Sequence, residues 1–377
     1  MKMHNIKILD YEIHSCHGNL EDTLQALKKD KRNSSTKKFS MPDSEVEVPF
    51  FSFKEEIKQD EDSIKKSIRN LLLKITEKIS QEKRSSTALI IGTSLIDWHL
   101  VNTINETIYD YKKTSYKSKK SSIDTYAKEL SQELGLNDFT MTINTACTSS
   151  ANALLEASNL IDCGVVEYAI VLGVEIYSPL MSSGFYTMDL ISPTFVKPFD
   201  KNRDGLVLGE ALGAILLGKE NSSWQLLGGF SNCNSQTITS VSESGQECVE
   251  VMQKALLDSN VAPNEITALK AHATGSLSND LAEINAISAV FNSSLKFTAL
   301  KPYIGHTIGA SGVVEISLFM SAIDNGFIPK TIDCENSILG DYSPLQENLE
   351  CSSGLFMCNY FGFGGNNISL IIQKESL

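Results

Sequence analysis

The residue with the clearest potential for chemistry in this sequence is Cys147, which lies in the stretch TACTSS. Extended-type residues precede it from 139 to 144, and an Ala- and Leu-rich helical pattern follows it, so the thiol is predicted at a helix N-terminus. There the macrodipole and the unpaired backbone N–H groups lower a cysteine pKa and stabilise the thiolate. This context strengthens the case for a nucleophile, although taken alone a free cysteine is more often a small buried hydrophobic residue.

Three further motifs lie in the second half of the chain. His272 ends a predicted strand in KAHATGS, and His306 lies in KPYIGHT just before a predicted helix that carries Glu315. At 362–365, three glycines within four residues allow unusual backbone angles and close approach of N–H groups to a ligand. Separately, each histidine is better explained as a satisfied core residue, and the glycines as a tight hairpin. Together with Cys147 they indicate an acyl-transfer centre that forms carbon–carbon bonds, with a thiolate, two neutral N–H donors and a glycine-built oxyanion site.

The elements that must position these residues alternate between strands and helices. The hydrophobic pattern predicts strands at 6–13, 87–92, 168–173, 209–217, 224–228, 266–271, 297–300, 355–360 and 368–373. It predicts helices at 20–27, 63–79, 126–134, 248–258, 280–291 and 312–325, with Gly135 as a C-terminal cap, and an irregular segment at 30–60. Such alternation predicts a layered α/β fold in two similar halves, 1–222 and 223–377.

Composition and charge argue against several classes of function. The formal net charge of −13 disfavours nucleic-acid binding, because phosphate contacts need a basic surface. No apolar run approaches the roughly 20 residues of a membrane helix, and the N-terminal residues are typical of a strand rather than a signal peptide. The eight cysteines form no CxxC pair. We therefore expect no metal site, no disulfide framework and a reducing, cytoplasmic location.

Two short basic runs stand out on this acidic chain. They span Lys28 to Lys38 and Lys112 to Lys120, in polar surroundings typical of solvated loops. Both are also places where an acidic partner could dock.

Five motifs resemble those of the β-ketoacyl synthases, the condensing enzymes of fatty acid and polyketide synthesis, in family order and at about the family spacing. They are TACTSS around Cys147, KPFDKNRDGLVLGEALGAILL from Lys197, AHATGS around His272, KPYIGHTIGASG around His306, and FGFGGNN from Phe361. The resemblance runs from about Leu136 to the end of the sequence. It implies the thiolase fold, in which the two halves form αβαβα layers. Because third-type synthases have asparagine at the position of His306, the chain resembles the Cys-His-His branch.

The resemblance also implies a role for each matching residue. Cys147 would hold the acyl group, while neutral His272 and His306 would stabilise an enolate through ring N–H groups. The backbone N–H groups of Cys147 and Phe363 would form the oxyanion hole. The remaining matches are the supporting charged pair Lys301 and Glu315, the phosphopantetheine-binding hydroxyls of Thr274 and Ser276, the gating aromatic Phe185, and the substrate-contacting Gly364.

The activity implied is a decarboxylative Claisen condensation between an acyl group on Cys147 and malonyl-acyl-carrier protein, without a metal or redox cofactor. The implied partners are an acyl carrier protein and a second subunit, in a homodimer or a ketosynthase-type heterodimer. By its position, the Lys112 to Lys120 run is expected to dock the carrier protein.

Parts of the sequence depart from the family pattern and leave alternatives open. HSCHGN from His14 replaces a Ser-Pro-Leu-Gly-type loop, and the match from 28 to 86 is slight. Chain length and pathway, whether fatty acid, polyketide or polyene, therefore stay open. A non-condensing chain-length-factor-like subunit is the main alternative, although such subunits usually lose the cysteine. A CoA-dependent thiolase has a second cysteine near the C-terminal glycines, whereas Cys358 lies on the preceding predicted strand.

Overall fold

The computed structural model describes residues 6–95, 122–233, 244–291, 294–340 and 342–376. Its α-helices are α1 (Leu20–Lys28), α2 (Glu61–Thr76), α3 (Gln81–Ser85), α4 (Thr125–Leu134), α5 (Ser149–Asp162), α6 (Pro179–Thr187), α7 (Gln246–Asp258), α8 (Leu277–Phe291), α9 (Lys301–Ile304) and α10 (Ser311–Asp324). Its strands are β1 (Ile6–Ser15), β2 (Gly18–Asn19), β3 (Ser35–Met41), β4 (Ser44–Phe51), β5 (Thr87–Thr93), β6 (Thr140–Ile143), β7 (Tyr168–Glu175), β8 (Leu208–Gly209), β9 (Ala211–Gly218), β10 (Trp224–Cys233), β11 (Ile266–Lys270), β12 (Lys296–Thr298), β13 (Phe327–Ile328), β14 (Leu349–Glu350), β15 (Gly354–Phe361) and β16 (Asn366–Lys374).

The main sheet contains two runs of strands with the same topology. In the first half the order is β1, β9, β7, β5 and β6, with two antiparallel pairings followed by two parallel ones. In the second half β10, β16, β15, β11 and β12 pair in the same sequence of directions. The start of β1 also pairs with β10 and joins the halves. The predicted two-fold repetition of the fold is confirmed, while the boundary at residue 222 stays a prediction because one sheet runs through both halves.

The helices form layers on both sides of these strands. Helices α5 and α10 pack against each other between the two halves of the sheet, in a core of small and branched side chains such as Ala151, Ala157 and Val313. Helices α2 and α4 cover the outer face of the first half, and α7 and α8 cover that of the second half. This arrangement confirms the predicted αβαβα layers. Each predicted strand or helix that leads into a candidate residue lies close to its predicted position.

The expectation that residues 30–60 are irregular is wrong in part. β3 and β4 form an antiparallel hairpin closed by Pro42 and Asp43, and the end of β4 pairs with β8. The apolar alternation that makes the hairpin is sparse: Phe39 and Val48 are buried beside charged residues, and Phe50 and Phe51 are buried only at the end of β4. Those charged residues conceal the two-residue period that indicates a half-buried strand.

None of the helices in the described part of the chain is both long enough and apolar enough to span a bilayer.

The contact between α5 and α10 yields the first testable prediction. A Cβ atom on Gly312 would lie 2.2 Å from the backbone nitrogen of Ala151, so Gly312→Ala must push the two central helices apart. We expect a fall in the free energy of unfolding of ~3 kcal/mol or more, measured by urea denaturation. Gly184→Ala in α6 is the matched control, because a Cβ there meets no atom within 4 Å. Equal stability of the two variants would contradict the prediction.

Candidate active site

Cys147 lies where β6 passes into α5 through a 3-10 turn formed by Ala146–Thr148. Ala146 has a φ of +52°, and the Thr145 N–H donates to the Ser149 hydroxyl at 2.9 Å, so the chain is held tightly on both sides of the thiol. The cysteine is 2% exposed. The predicted position of the sulfur, at the start of a buried helix, is therefore the observed one.

His306 approaches the cysteine from the equivalent connection in the second half, just before α10. Its Nε2 lies 3.1 Å from the Cys147 Sγ, and its Nδ1 lies 3.3 Å from the Ser311 hydroxyl oxygen. The backbone N–H of His306 donates to the Val207 carbonyl at 2.7 Å, which fixes the segment beside β8. A hydroxyl can donate to Nδ1 or accept from it, so both neutral tautomers of His306 have a partner.

His272 follows β11 and completes the cluster. Its ring is 5.3 Å from that of His306, measured between centroids, at an interplanar angle of 85°. Its Nδ1 lies 3.3 Å from the Lys301 Nζ. Because an ammonium group can only donate, this contact places the His272 proton on Nε2.

The backbone at His272 is held by a buried carboxylate. Both oxygens of Glu283, on α8, accept main-chain hydrogen bonds of 2.7 Å, one from the His272 N–H and one from the Ala273 N–H. Ala273 has a φ of +50°, an angle that L-residues seldom adopt. Burial raises the Glu283 pKa to about 7, against the lowering effect of these two hydrogen bonds.

Behind the histidines, the expected charged pair of Lys301 and Glu315 is joined by a third residue, Lys270, to form a triad. The Lys301 Nζ lies 2.7 Å from the Glu315 Oε1, and the Lys270 Nζ lies 2.6 Å from the Glu315 Oε2. All three side chains are 0% exposed.

The glycine-rich loop between β15 and β16 faces the cysteine from the other side. The Phe363 N–H acts on the Cys147 sulfur and lowers its pKa, and the Phe363 ring lies 5.3 Å from that of buried Phe185. Gly364 and Gly365 have φ values of +79° and +77°, which glycine adopts readily. The Gly364 carbonyl accepts from the Cys233 thiol at 3.5 Å.

Two cavities meet at Cys147 and Phe363, which line both of them. The first has a volume of about 40 Å³ and is also lined by His272, His306 and the hydroxyl-bearing Thr274 and Ser276. Of the glycine-rich loop, Gly362 and Gly365 line this cavity, whereas Gly364, the glycine expected to contact substrate, does not. The second, of about 300 Å³, is mainly apolar; it is lined by Ser94, Asn144, Ala146, Leu180, Met181, Gly184, Phe185, Met188 and Ile308. The thiol therefore lies between a small polar cavity and a larger apolar one.

The electrostatics differ in one respect from the sequence-based expectation. Burial raises the pKa of the Cys147 thiol to about 12, although the Phe363 N–H and the Lys301 charge lower it. The expected lowering of this pKa is therefore wrong, because desolvation of the thiolate outweighs the donors at the helix start. Burial and the nearby lysines hold the pKa values of His272 and His306 well below the usual range, so both rings are neutral at neutral pH, as expected.

Sequence reasoning missed three buried charged residues. Lys270 and Glu283 contact the cluster as described above. Glu175 accepts from the Gly309 N–H at 2.9 Å and from the Ser94 hydroxyl at 2.8 Å, and burial raises its pKa to about 7. For Lys270 and Glu175 there was a signal, because each is a charged residue at the carboxyl end of a mainly apolar strand. Glu283 lies within a mixed helical pattern that carried no such signal.

Two other expectations concern groups outside this cluster. Within the described ranges, no set of three His, Cys, Asp or Glu side chains is arranged to hold a metal ion. The Lys112 to Lys120 run, with its expected docking role, lies outside the described residues.

Comparison with known proteins identifies the family. The pattern of the Beta-ketoacyl synthase, N-terminal domain, matches residues 66–223, and that of the Beta-ketoacyl synthase, C-terminal domain, matches residues 225–335. The chain is 33% identical over 258 residues to 3-oxoacyl-[acyl-carrier-protein] synthase I, chloroplastic, of Arabidopsis thaliana; the match covers 63% of this chain and 54% of that protein. It is 26% identical over 321 residues to 3-oxoacyl-[acyl-carrier-protein] synthase 2 of Vibrio cholerae, covering 78% of each. The chain thus spans about half the length of the plant relative.

Solved structures match over nearly the whole chain. A chain from the structure of the ketosynthase ApeO in complex with its chain length factor ApeC, from Xenorhabdus doucetiae, has a TM-score of 0.85 at 24% identity and covers 98% of both chains. A beta-ketoacyl synthase from Burkholderia phymatum STM815 has a TM-score of 0.83 at 21% identity, with 100% of both chains covered. These likenesses confirm the thiolase fold. Since the two family patterns together take up more than half of its length, the chain belongs to the β-ketoacyl synthase family.

Proposed function

We propose that the protein is a condensing acyltransferase that joins an acyl group to a malonyl-derived unit by decarboxylative Claisen condensation. The observation that carries this proposal is the convergence of the Cys147 thiol, two neutral imidazoles and the Phe363 N–H on one point between a polar and an apolar cavity. Covalent capture, enolate stabilisation and oxyanion binding each need one of these groups.

In the loading step, the Cys147 sulfur attacks the carbonyl carbon of an acyl-carrier thioester. With its own proton on Nδ1, facing Ser311, His306 accepts the thiol proton through Nε2 and returns it to the departing carrier thiolate. A C–S bond forms at Cys147 and the carrier C–S bond breaks. The backbone N–H groups of Cys147 and Phe363 donate to the tetrahedral oxyanion.

In the condensation step, a malonyl-carrier thioester loses CO₂ and the electron pair of the broken C–C bond forms an enolate. His272 donates to the enolate oxygen through Nε2, the tautomer that Lys301 selects, and His306 donates as well once its proton is on Nε2. The enolate carbon then attacks the acyl carbonyl, a C–C bond forms, and Cys147 leaves as a thiolate that takes up a proton from solvent. Because every step is redox-neutral and uses only groups of the chain and a solvent proton, we propose that no metal or redox cofactor takes part.

The two cavities suit the two ends of such substrates. The apolar cavity beside Phe185 and Met188 would hold the acyl chain, while Thr274 and Ser276 would bind the amides of a phosphopantetheine arm. Phe185, against Phe363, would act as the gate between them. The substrate carrier would be an acyl carrier protein in fatty acid, polyketide or polyene synthesis. A non-condensing chain-length-factor role is not favoured, because the nucleophile and both histidines lie together.

We further propose that the chain pairs with a second subunit of the same fold. Strand β6 lies at the end of the main sheet, pairs with β5 on one side, and has only partly buried residues. The structure with the TM-score of 0.85 is a complex of a ketosynthase with its chain length factor, and one of its chains matches this chain. Among the described strands only β5 pairs with β6, and a strand edge of this kind favours addition of another strand.

The first test is acyl transfer to Cys147, followed by intact-protein mass spectrometry. Acyl-carrier thioesters should add one acyl mass to the wild-type chain and none to Cys147→Ala, and malonyl-carrier should then remove it. Cys163→Ala is the matched control, since Cys163 is an exposed free thiol and its loss should leave the adduct unchanged. Absence of an adduct with every donor, or an adduct on Cys147→Ala, would refute the proposal.

The second test uses the raised pKa of the Cys147 thiol. A pKa of about 12 means that the thiolate fraction, and with it the rate of alkylation by iodoacetamide, should rise about tenfold per pH unit from pH 7 to 10. A reference thiol such as N-acetylcysteine should level off above its pKa of about 8.5. Peptide mass spectrometry after timed quenching gives the rate at Cys147, and a plateau near pH 7 would indicate a resting thiolate instead.

The third test is the oligomeric state. Size-exclusion chromatography with light scattering should give a mass twice the 41.4 kDa of one chain if a second copy is the partner. A single-chain mass over the whole concentration range would exclude the homodimer and direct the search to a second gene product.

A further inference from the structure

The proposed reaction leaves one charged group of the cluster unused, the buried amine of Lys270. Its Nζ lies 2.6 Å from the Glu315 Oε2, donates to the Asn359 carbonyl at 2.9 Å, and lies 3.6 Å from the centroid of the Tyr360 ring. Three N–H bonds thus have three partners, a carboxylate, a carbonyl and an aromatic face. Burying an amine costs desolvation free energy, and these three contacts offset that cost. The amine in turn holds the three groups in fixed positions around it.

The geometry of the triad divides the Glu315 carboxylate between two amines. Lys270 takes Oε2, so Lys301 contacts only Oε1, at 2.7 Å, and has a further N–H for the His272 Nδ1 at 3.3 Å. Without Lys270, both carboxylate oxygens would be open to Lys301, and bidentate pairing would draw that ammonium away from the imidazole. The contact that selects the His272 tautomer therefore depends on an amine that does not touch His272.

The net charge of the triad also favours a neutral His272. Two amines share one carboxylate, so the triad carries excess positive charge when both are protonated, and this charge faces the imidazole. The titratable groups that face His272 from the elements packed around it are Lys270, Glu283, Lys301, His306, Glu315 and Tyr360. Among them, Lys270 and Lys301 are the cations that disfavour a protonated His272.

We infer that Lys270 is a positioning residue, which holds Glu315 so that Lys301 stays on the His272 Nδ1 and the His272 proton stays on Nε2, directed at the substrate. The consequence for catalysis rests on the proposed condensation, whereas the tautomer itself does not. Lys270 would thus act on the decarboxylation of the malonyl group and not on the loading of Cys147, which uses His306.

Lys270→Met tests this inference, because methionine keeps the apolar stem and removes the amine. The variant should fold, since loss of the Lys270 amine leaves Lys301 and Glu315 as a one-to-one buried pair. We expect malonyl-carrier decarboxylation to fall roughly tenfold to a hundredfold, as for loss of one charged hydrogen bond, while acyl loading of Cys147 changes less than about twofold. Loss of a nearby cation should also raise the His272 pKa, so the defect should be larger at pH 6 than at pH 8.

The matched control is Lys7→Met, which removes a largely buried lysine that contacts Gln225 and Glu375, outside the site. It should leave both half-reactions and the pH profile unchanged. In the cavity of Lys270→Ala, methylammonium should restore decarboxylation, which separates loss of the amine from a general packing defect. Equal decarboxylation by Lys270→Met and wild type, or equal loss of both half-reactions without rescue, would overturn the inference.

A readout independent of activity is two-bond ¹H–¹⁵N NMR of the histidine rings, assigned with His272→Ala. Wild type should show the Nε2–H tautomer of His272 down to acidic pH, and Lys270→Met should show mixed tautomers with a higher pKa. Identical tautomer and pKa in both proteins would overturn the inference even if the wild type condenses thioesters. A wild type that decarboxylates no malonyl donor would refute the proposed function and leave the NMR result to decide on Lys270.

Discussion

The close crossing of the two central helices is the constraint on which the rest of the structure depends. Gly312 of α10 lies against Ala151 of α5, with no room for a Cβ, and each helix begins a few residues after a reactive side chain. Cys147 precedes one helix and His306 the other, at equivalent places in the two halves. Because the helices cross near their starts, the sulfur and the imidazole nitrogen come within 3.1 Å although they are 159 positions apart in the chain. The reactive pair is thus a product of the internal repetition of the fold.

Buried carboxylates hold the irregular backbone around this crossing. Glu283 accepts from two N–H groups at His272, Glu175 from Gly309 beside α10, and Glu210 from Phe53 and Tyr177 next to the hairpin. Burial raises the pKa of each carboxyl, so the hydrogen bonds to the backbone offset a real desolvation cost. Segments with positive φ and no regular hydrogen-bond ladder are in this way kept in one conformation, and the histidines depend on that rigidity for their distance to the sulfur.

The sequence predicted the parts of the site that depend on local pattern. A strand passing into a helix located Cys147, and a histidine at the end of a strand located His272. Properties that depend on tertiary packing could not be predicted from the sequence. The Cys147 pKa follows from burial by distant segments, which outweighs the helix start that the sequence does reveal. The role of Lys270 depends on Glu315, 45 positions away, whose carboxylate is shared between the amines of Lys270 and Lys301. The β3–β4 hairpin was missed because most of its positions are charged or polar and its buried residues are few.

Strand β1 joins the two halves, and this bears on how the chain reaches its folded state. Lys7 contacts Gln225, 218 positions away, and β1 pairs with both β9 and β10. During synthesis, β1 leaves the ribosome long before either neighbouring strand is made. Its edges therefore stay unpaired until more than half of the chain has been synthesised. Late pairing of this kind gives slow, high-contact-order folding and couples the two halves into a single cooperative unit. A nascent chain interrupted before residue 211 would expose β1 without either partner strand, so this topology favours chaperone contact during translation.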